Sequence, residues 1–269
     1  MCRGRSGANA LHMPGDSPLD VASNLISLAQ SHSKLDARVV AQAKLVLCDL
    51  DGCLIAEGRA FADTADFVAG CGARLWIVSN ASDTTAADMS LRLANLGIHV
   101  PAERILLAGE IMLDYVANVE QIRHMRLFAP AALIESAKAL GVDPAAEVPQ
   151  AVLLCRDPAV TVDTLGQILA LVGQGAPLWV ANEDLSHPGH DTQPVAETGA
   201  LLAALRAIRP ALVWRSLGKP DPTMLTMALA RSGLGAADAI FVGDNALTDG
   251  RAAAALGMSF IHIQRSISR

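Results

Sequence analysis

Short apolar runs alternate with alanine-rich stretches of helical character from Lys44 to the end of the chain. The runs occupy residues 45–48, 74–78, 105–107, 126–128, 152–155, 178–180, 212–214, 240–242 and 259–263. Strands that alternate with helices are typical of βαβ units and a largely parallel sheet. Because helices cover both faces of such a sheet, its strands are apolar throughout. The runs exceed what one small sheet needs, so the pattern predicts two α/β domains, one inserted in the other.

Two segments depart from this alternation. Residues 1–43 carry no strand pattern, and no apolar stretch follows Arg3 and Arg5, so we predict an N-terminal extension without a signal peptide. Residues 164–182 form an uncharged run that approaches the length of a membrane helix. The glycines and the proline of residues 173–177 form a turn signal, which divides this run into an amphipathic helix and a short strand. The sequence therefore predicts no membrane span.

Composition narrows the class of protein. Of the 269 residues, 52% are hydrophobic and 18% are charged, which argues against intrinsic disorder and a coiled coil. The net charge is -6 and no basic tract is present, so no nucleic-acid partner is expected. The 5 cysteines are scattered without a CxxC pair and predict reduced thiols rather than a zinc site. We therefore expect a cytoplasmic protein that acts on a small molecule.

Two acidic residues follow the first predicted strand at its carboxyl end. Asp49 and Asp51 are separated by one residue, and Gly52 after them permits a sharp turn. Ligands of open parallel sheets bind in the crevice outside the carboxyl ends of the strands. The two carboxylates are therefore candidates for chemistry, although the pattern alone is also typical of a solvated turn.

Further polar residues stand near the ends of two other predicted strands. Ser79 and Asn80 follow the second run, Lys219 lies in Leu-Gly-Lys-Pro before the penultimate run, and Asp244 and Asp249 come after that run. Taken singly, each of them fits a helix cap, a turn or a surface cation. Together, acids, a hydroxyl and a lysine at one sheet edge predict a pocket for a divalent cation and a phosphate.

In this order the motifs resemble those of the haloacid dehalogenase superfamily of phosphotransferases. The segments VSNASDTTAADMSLRLANLGI, LGKPDPTML and VGDNALTDGRAAAALGM resemble class IIA, the NagD-like and p-nitrophenyl phosphatase group, and the resemblance covers residues 45–263. It implies an α/β fold with a Rossmann-like parallel sheet core and an inserted smaller α/β cap domain. Asp51 and Ser79 are too close in sequence to enclose a domain, whereas the segment between Ser79 and Lys219 is long enough. We therefore expect the core at residues 44–120 and 212–269 and the cap at residues 121–211.

The resemblance also implies a Mg²⁺-dependent phosphomonoester hydrolase that acts on a small phosphorylated metabolite. Asp49 would attack phosphorus to form an aspartyl-phosphate, and Asp51 would act as general acid and then as general base. Mg²⁺ would be held by the Asp49 carboxylate, the Asp51 backbone carbonyl and Asp244. Asp249 is a further candidate metal ligand, or a group that orients Lys219.

The same resemblance assigns Ser79, Lys219 and Asn80 to the oxygens of the transferring phosphoryl group. The sequence departs from the family's pattern at Cys53, where relatives usually carry Thr or Val, and after the second motif, where Ala81 and Asp83 replace the usual Asn and basic residues. We expect the chemistry to survive these departures, whereas the identity of the substrate does not follow from the resemblance.

A polar segment at residues 179–191 follows a predicted cap strand, where class IIA relatives have their substrate-facing loop. Its side chains Glu183, His187 and His190 are therefore candidates for contacts with the leaving group. A transition-metal site at the two histidines is the alternative, although the Pro and Gly between them indicate a loop. We also expect a homodimer that forms through the cap.

Other functions fit the motifs less well. A phosphotransferase or mutase shares the first half-reaction, so the motifs alone leave it open. A catalytically idle ligand-binding regulatory protein would usually lack one of the motif acids, and here all of them are present. Dehalogenation does not need the proton that Asp51 supplies to an ester oxygen. A dinucleotide-binding oxidoreductase is disfavoured because Gly233-Leu-Gly235 lacks the third glycine of the phosphate-binding loop.

Overall fold

A computed structural model describes residues 30–56, 58–188 and 193–265. Within these ranges eight of the nine apolar runs form strands, and of the run 212–214 Trp214 alone lies in a strand. Most of the alanine-rich stretches form helices. The strands are β1 (Gln30–His32), β2 (Leu45–Cys48), β3 (Ile55–Ala56), β4 (Arg59–Ala60), β5 (Leu75–Ser79), β6 (Ile105–Leu107), β7 (Met125–Phe128), β8 (Ala151–Leu154), β9 (Leu178–Val180), β10 (Ser186–Pro188), β11 (Pro194–Ala196), β12 (Trp214–Ser216), β13 (Ala239–Gly243) and β14 (Ser259–Ile263).

Helices occupy most of the connections between these strands. The α-helices are α1 (Thr64–Cys71), α2 (Ala86–Asn95), α3 (Ala108–Asn118), α4 (Ala131–Ala139), α5 (Val162–Gly173), α6 (Thr198–Ile208), α7 (Thr223–Ser232) and α8 (Arg251–Ala255). Single 3₁₀ turns cover Gly72–Arg74, Ala102–Arg104 and Ala236–Asp238. A π-helical turn, Ala246–Gly250, follows β13 and leads directly into α8.

The larger sheet has six parallel strands in the order β1, β14, β13, β2, β5, β6. The central strand β2 is buried along its whole length. Leu45 and Leu47 join the hydrophobic cluster on one face, whereas Val46 and Cys48 join the cluster on the other face. Because successive side chains of a strand point to opposite faces, two apolar layers require an apolar residue at every position.

The smaller sheet has four parallel strands in the order β12, β9, β8, β7. All four lie between β6 and β13 in the chain, and helices α4, α5 and α6 lie among them in sequence. Val152, Leu178 and Leu202 belong to a hydrophobic cluster of this layer's own. We call residues 125–216 the cap. The two parallel sheets confirm the predicted α/β class with a parallel core sheet.

Strand pairing changes two of the predicted boundaries. β12 pairs with β9 in the smaller sheet, although residues 212–214 were assigned to the core. Leu212 packs in the cap cluster, and a run of three apolar residues does not reveal which of two sheets it joins. β1 pairs with β14, so Gln30–His32 belongs to the core sheet rather than to an extension. The division into core and inserted cap stays a proposal, and the chain would return from the cap to the core after Ser216. Residues 1–29 lie outside the described residues.

The uncharged run at residues 164–182 folds as its turn signal predicts. Helix α5 ends at Gly173 and strand β9 begins at Leu178. None of the helices in the described ranges combines the length and the apolarity that a membrane span requires. The hairpins β3–β4 and β10–β11 were not predicted, because their two- or three-residue strands are not apolar runs buried on both faces. Cys48, Cys53, Cys71 and Cys155 are free and buried, and Cys2 lies outside the described residues.

Candidate active site

Three neighbouring strands of the larger sheet end beside one another at its carboxyl edge. Asp49 follows β2, Ser79 is the last residue of β5, and Asp244 follows β13. They open onto one cavity of about 560 Å³, and cap residues form part of its wall. The cavity is lined by these candidate residues of the sequence motifs: Asp49, Asp51, Ser79, Asn80, Lys219 and Asp244.

A buried lysine lies between two carboxylates at the floor of this cavity. Lys219 Nζ donates to Asp49 Oδ1 at 2.5 Å and lies 2.8 Å from Asp249 Oδ1. Burial lowers the pKa of Lys219, but the Asp249 and Asp49 carboxylates outweigh this effect and raise the pKa above its ordinary value. Lys219 is therefore a fixed positive charge, and only one oxygen of Asp49 is engaged with it.

Three carboxylates gather where a metal ion would be expected. One oxygen each from Asp49, Asp244 and Asp249 lies within 4.8 Å of the others. Burial and the neighbouring Asp49 and Asp249 carboxylates raise the pKa of Asp244 to about 8. Burial and the Asp49 carboxylate raise the pKa of Asp249 to about 7, although Lys219 opposes the shift. The single charge of Lys219 does not compensate the charges of three carboxylates. Because carboxylate oxygens are the donors that a hard divalent cation such as Mg²⁺ prefers, the residues fit that ion.

Two glycines make room for the acids of this cluster. Gly52 has φ +80, and a Cβ on it would lie 2.0 Å from Asp244 Oδ2. A Cβ on Gly243 would lie 2.2 Å from Asp249 Oδ2. The π-helical turn after β13 directs Asp249 back toward the strand end, because the Asp249 amide donates to the carbonyl of Asn245 at 2.8 Å. The backbone at these two glycines therefore lies directly against the carboxylates of Asp244 and Asp249. A larger residue at either glycine would displace the carboxylate beside it.

Asp51 occupies a different environment from the buried acids. Its side chain is exposed within the open cavity, and the Asp51 backbone begins the tight loop that leads to β3. The surrounding walls desolvate its carboxyl group, and together with the Asp49 carboxylate they raise its pKa to about 6. A carboxyl group with this pKa is available both to donate and to accept a proton near neutral pH.

Asn80 lines the cavity, but its side chain has different partners from those that the resemblance implied. Its Nδ2 donates to the Lys219 carbonyl at 2.9 Å and to Asp184 Oδ2 at 2.8 Å, while its Oδ1 accepts from the Lys219 amide at 2.8 Å. Both N–H groups of the side chain thus have partners within the protein, and neither is left to donate to a ligand. We therefore assign Asn80 to holding the Lys219 backbone, not to donating to a phosphoryl oxygen. Ser79 Oγ accepts from the Ala81 amide at 3.1 Å, and its hydroxyl keeps a proton to donate.

Of the three predicted cap-loop residues, His187 lines the cavity and Glu183 does not. Glu183 is exposed and accepts from Trp214 Nε1 at 3.0 Å, and it does not line the cavity. The next residue, Asp184, lines it instead, and so does His187. His187 Nδ1 lies 2.6 Å from Glu197 Oε1, and this hydrogen bond raises the pKa of His187. His190 lies outside the described residues.

Sequence reasoning missed several charged residues of the cavity wall, among them Arg156 and Glu197. Arg156 lies just beyond the end of β8, so the rule that functional groups follow parallel strands would have found it. Its guanidinium donates to Asp83 and lies 3.4 Å from Glu197 Oε1. Glu197 precedes α6 and follows an unpredicted strand, so no local signal marks it.

A buried polar cluster joins the cap to the core beside the cavity. Ser82 Oγ and Thr198 Oγ1 lie 2.9 Å apart, and Asn182 Nδ2 donates to the Asn80 carbonyl at 2.7 Å. Ser82, Asn182 and Thr198 are fully buried. Because unpaired buried polar groups are costly, these hydrogen bonds favour one position of the cap over the strand ends.

Comparison with known proteins identifies the family. The model described as haloacid dehalogenase-like hydrolase matches residues 46–143, and a second model for HAD-hydrolase-like proteins matches residues 216–269. The chain belongs to the haloacid dehalogenase-like hydrolases. Together the two models contain every acidic motif residue of the cavity floor and Lys219.

Curated relatives and solved structures agree with this assignment. The ribonucleotide monophosphatase NagD of Escherichia coli is 26% identical over 231 residues, which cover 84% of this chain and 89% of NagD. A dihydroxyacetone phosphatase of Corynebacterium glutamicum is 24% identical over 82% of this chain and 81% of its own length. The structure of a 4-nitrophenylphosphatase from Thermotoga maritima superposes with a TM-score of 0.78 at 22% identity, covering 86% of this hydrolase and 89% of that chain. These likenesses are consistent with class IIA, and the named relatives are phosphatases.

Proposed function

We propose that this chain is a Mg²⁺-dependent phosphomonoester hydrolase that acts on a small phosphorylated metabolite through an aspartyl-phosphate intermediate. The observation that carries the proposal is that Asp49 contacts the buried Lys219 ammonium and also lies beside the carboxylates of Asp244 and Asp249. A nucleophile in this position has both a fixed positive charge and a metal site beside it. The phosphatase names of the relatives support the same reaction class.

The chain's own residues divide the chemistry between them. Asp49 Oδ1 is held by Lys219, which leaves Oδ2 to attack phosphorus. Lys219 and the Ser79 hydroxyl hold phosphoryl oxygens, and Asn80 keeps the Lys219 backbone in place. Asp51, whose pKa is raised to about 6, gives its proton to the leaving oxygen and then takes one from the hydrolytic water.

Mg²⁺ would be held by the carboxylates of Asp49 and Asp244 and by the Asp51 backbone carbonyl, with Asp249 as a further ligand or as the partner that orients Lys219. When bound, the ion would offset the repulsion between the carboxylates and the phosphate dianion. Gly52 supports this assignment, because it lets the Asp244 carboxylate approach the loop that carries Asp51.

A phosphate-release screen tests the proposal. With Mg²⁺ present, p-nitrophenyl phosphate and a panel of sugar phosphates, nucleotides and pyridoxal phosphate are offered to the purified chain, and inorganic phosphate is measured. We expect release from p-nitrophenyl phosphate and from at least one natural ester. Product analysis in the presence of alcohol acceptors separates hydrolysis from transfer. Absence of phosphate release from every ester would refute the proposed function.

The cap loop is proposed to contact the leaving group through His187. This residue lines the cavity, and Glu197 fixes its Nδ1 so that Nε2 is the nitrogen left for a ligand. We expect His187→Ala to lower kcat/KM for the natural ester by ~10-fold, the loss of one or two hydrogen bonds, and to affect p-nitrophenyl phosphate much less. Equal losses on both substrates, measured by steady-state kinetics, would contradict a role in selection.

The remaining proposals concern location and assembly. The buried free thiols support a cytoplasmic location, which cell fractionation would check. A homodimer through the cap stays a prediction, and sedimentation analysis of the purified chain would detect it.

A further inference from the structure

The cap side of the cavity carries several charged groups, both acidic and basic, although the site must admit a dianion. The cap contributes Arg156, Asp184, Ser186, His187 and Glu197 to the wall. The cavity, at about 560 Å³, is much larger than a phosphate group, so these side chains face the rest of the substrate. Their charges therefore determine which leaving groups fit.

Two of these groups, Asp184 and Glu197, are carboxylates whose backbone is firmly held. The Glu197 amide donates to the Leu185 carbonyl at 3.0 Å, and the Gly199 amide donates to the Asp184 carbonyl at 2.9 Å. A Cβ on Gly199 would lie 2.2 Å from the Glu183 carbonyl oxygen, so the start of α6 packs directly against this segment. The two acids therefore stay at the cavity wall instead of moving aside for an anion.

The cations of the cap wall already have carboxylate partners. Arg156 donates to Asp83 and lies 3.4 Å from Glu197 Oε1, and His187 Nδ1 lies 2.6 Å from the same oxygen. Among the described residues, the remaining cation of the wall outside the catalytic floor is Arg92, which is exposed on α2. Water and salt screen an exposed charge, so Arg92 offsets little of the buried negative charge.

The charge on Glu197 is compensated on one side only. Its Oε1 faces His187 and Arg156, whereas its Oε2 is buried and accepts no hydrogen bond from the described residues. Asp184 engages one oxygen, Oδ2, with Asn80. In a partly desolvated cavity, such carboxylates repel a second anion much more strongly than they would in water.

A hydroxyl group fits this wall and a carboxylate does not. A hydroxyl both donates and accepts, so it has a partner in the Asp184 carboxylate and in the imidazole of His187. An ionised carboxylate or phosphate only accepts hydrogen bonds and would meet like charge at both acids. We propose that the cap wall selects phosphate esters with an uncharged, hydroxylated leaving group, and that Asp184 and Glu197 disfavour leaving groups that carry a carboxylate or a second phosphate. This inference rests on the proposed phosphatase function and adds the class of its substrate.

A matched pair of substrates tests the selection. Glycerol 3-phosphate and 3-phosphoglycerate have carbon chains of the same length. The first ends in a hydroxymethyl group where the second carries a carboxylate. With Mg²⁺ present, we expect kcat/KM for glycerol 3-phosphate to exceed that for 3-phosphoglycerate by ~10-fold or more. p-Nitrophenyl phosphate, measured in parallel, reports whether the catalytic groups are active.

Charge-removing variants show whether the two acids are responsible. Glu197→Gln keeps the size of the side chain and an oxygen for His187, and we expect it to lower the preference for glycerol 3-phosphate by ~10-fold. Asp184→Asn keeps an acceptor for Asn80 and is expected to change the ratio in the same direction. Glu183→Gln is the matched control: it removes the same charge from the cap, but Glu183 bonds to Trp214 outside the cavity, so the ratio should stay unchanged.

The outcomes separate this inference from the proposed function. Hydrolysis of p-nitrophenyl phosphate with equal or faster turnover of 3-phosphoglycerate, or with turnover of neither natural ester, would overturn the inference and leave the phosphatase function standing. An unchanged substrate ratio in both Glu197→Gln and Asp184→Asn would overturn it as well. Failure to hydrolyse any of the three esters would contradict the phosphatase function and the inference together.

Discussion

Replacing Asp49 by Asn should lower kcat on any good substrate by on the order of 1,000-fold or more, because an amide is not a competent nucleophile. The amide is nearly isosteric, and its oxygen keeps the contact that Asp49 Oδ1 makes with Lys219 at 2.5 Å. The substitution also removes a carboxylate that raises the pKa of Asp244 and Asp249. We therefore expect the fold to be retained, with loss of turnover as the main effect.

Steady-state kinetics with p-nitrophenyl phosphate and thermal unfolding measure the two effects separately. Asp238→Asn is a suitable control, because Asp238 precedes β13 at the opposite edge of the sheet and pairs with Lys44 on the surface at 2.9 Å. That variant should retain full activity. If Asp49→Asn kept more than a few per cent of the wild-type kcat, Asp49 would not be the nucleophile.

Removal of divalent metal should lower activity by ~100-fold or more, since the phosphate would then meet the carboxylates of Asp49, Asp244 and Asp249 without an ion between them. EDTA followed by dialysis gives the metal-free protein, and added Mg²⁺ should restore turnover. Ca²⁺ should inhibit, because its larger and looser coordination shell misplaces the nucleophile relative to phosphorus. Full activity in the presence of EDTA would show that the acidic cluster does not hold a metal ion required for catalysis.

The same cluster gives the metal-binding prediction a pH dependence. In the metal-free protein the pKa values of Asp244 and Asp249 are raised to about 8 and about 7, so protons occupy these carboxyl groups at mildly acidic pH. A group whose folded pKa is raised loses its stabilising contribution as the pH rises from the unfolded pKa to the folded one. The metal-free Tm should therefore fall between about pH 5 and pH 8.

Mg²⁺ binds the folded state and competes with these protons, so the increase in Tm on adding Mg²⁺ should grow over the same pH range. Asp244→Asn should abolish most of this increase, whereas the surface variant Asp238→Asn should keep it. A Tm increase that is independent of pH in the wild type would mean that the ion binds elsewhere.

The strands of the sheets could be predicted closely from the sequence. The runs at 45–48, 178–180 and 259–263 coincide with β2, β9 and β14. A parallel strand covered on both faces is apolar along most of its length, so a few consecutive residues are enough to predict it. Sheet membership is not local, and for this reason β12 was assigned to the wrong sheet and β1 to an extension.

The residues of the candidate site could also be predicted only in part from the sequence. Asp49, Ser79 and Asp244 stand at strand ends, and their spacing along the chain is enough to predict that they share one sheet edge. The direction of a side chain beyond a strand end depends on what packs against it. Asn80 was therefore assigned to the phosphate although its amide holds the Lys219 backbone, and Glu183 was assigned to the cavity although it bonds to Trp214.

The α/β class, the strand ends and the set of groups suited to phosphoryl transfer follow from residue type and short spacing, so they could be predicted without coordinates. Which charges meet depends on the folded chain. The tertiary structure placed Lys219 between Asp49 and Asp249, and it joined Arg156 and Glu197 across the cap wall. The electrostatic environment of a group depends on its burial and on its distance from other charges. Residues far apart in the chain determine both, so no local sequence pattern predicts this environment.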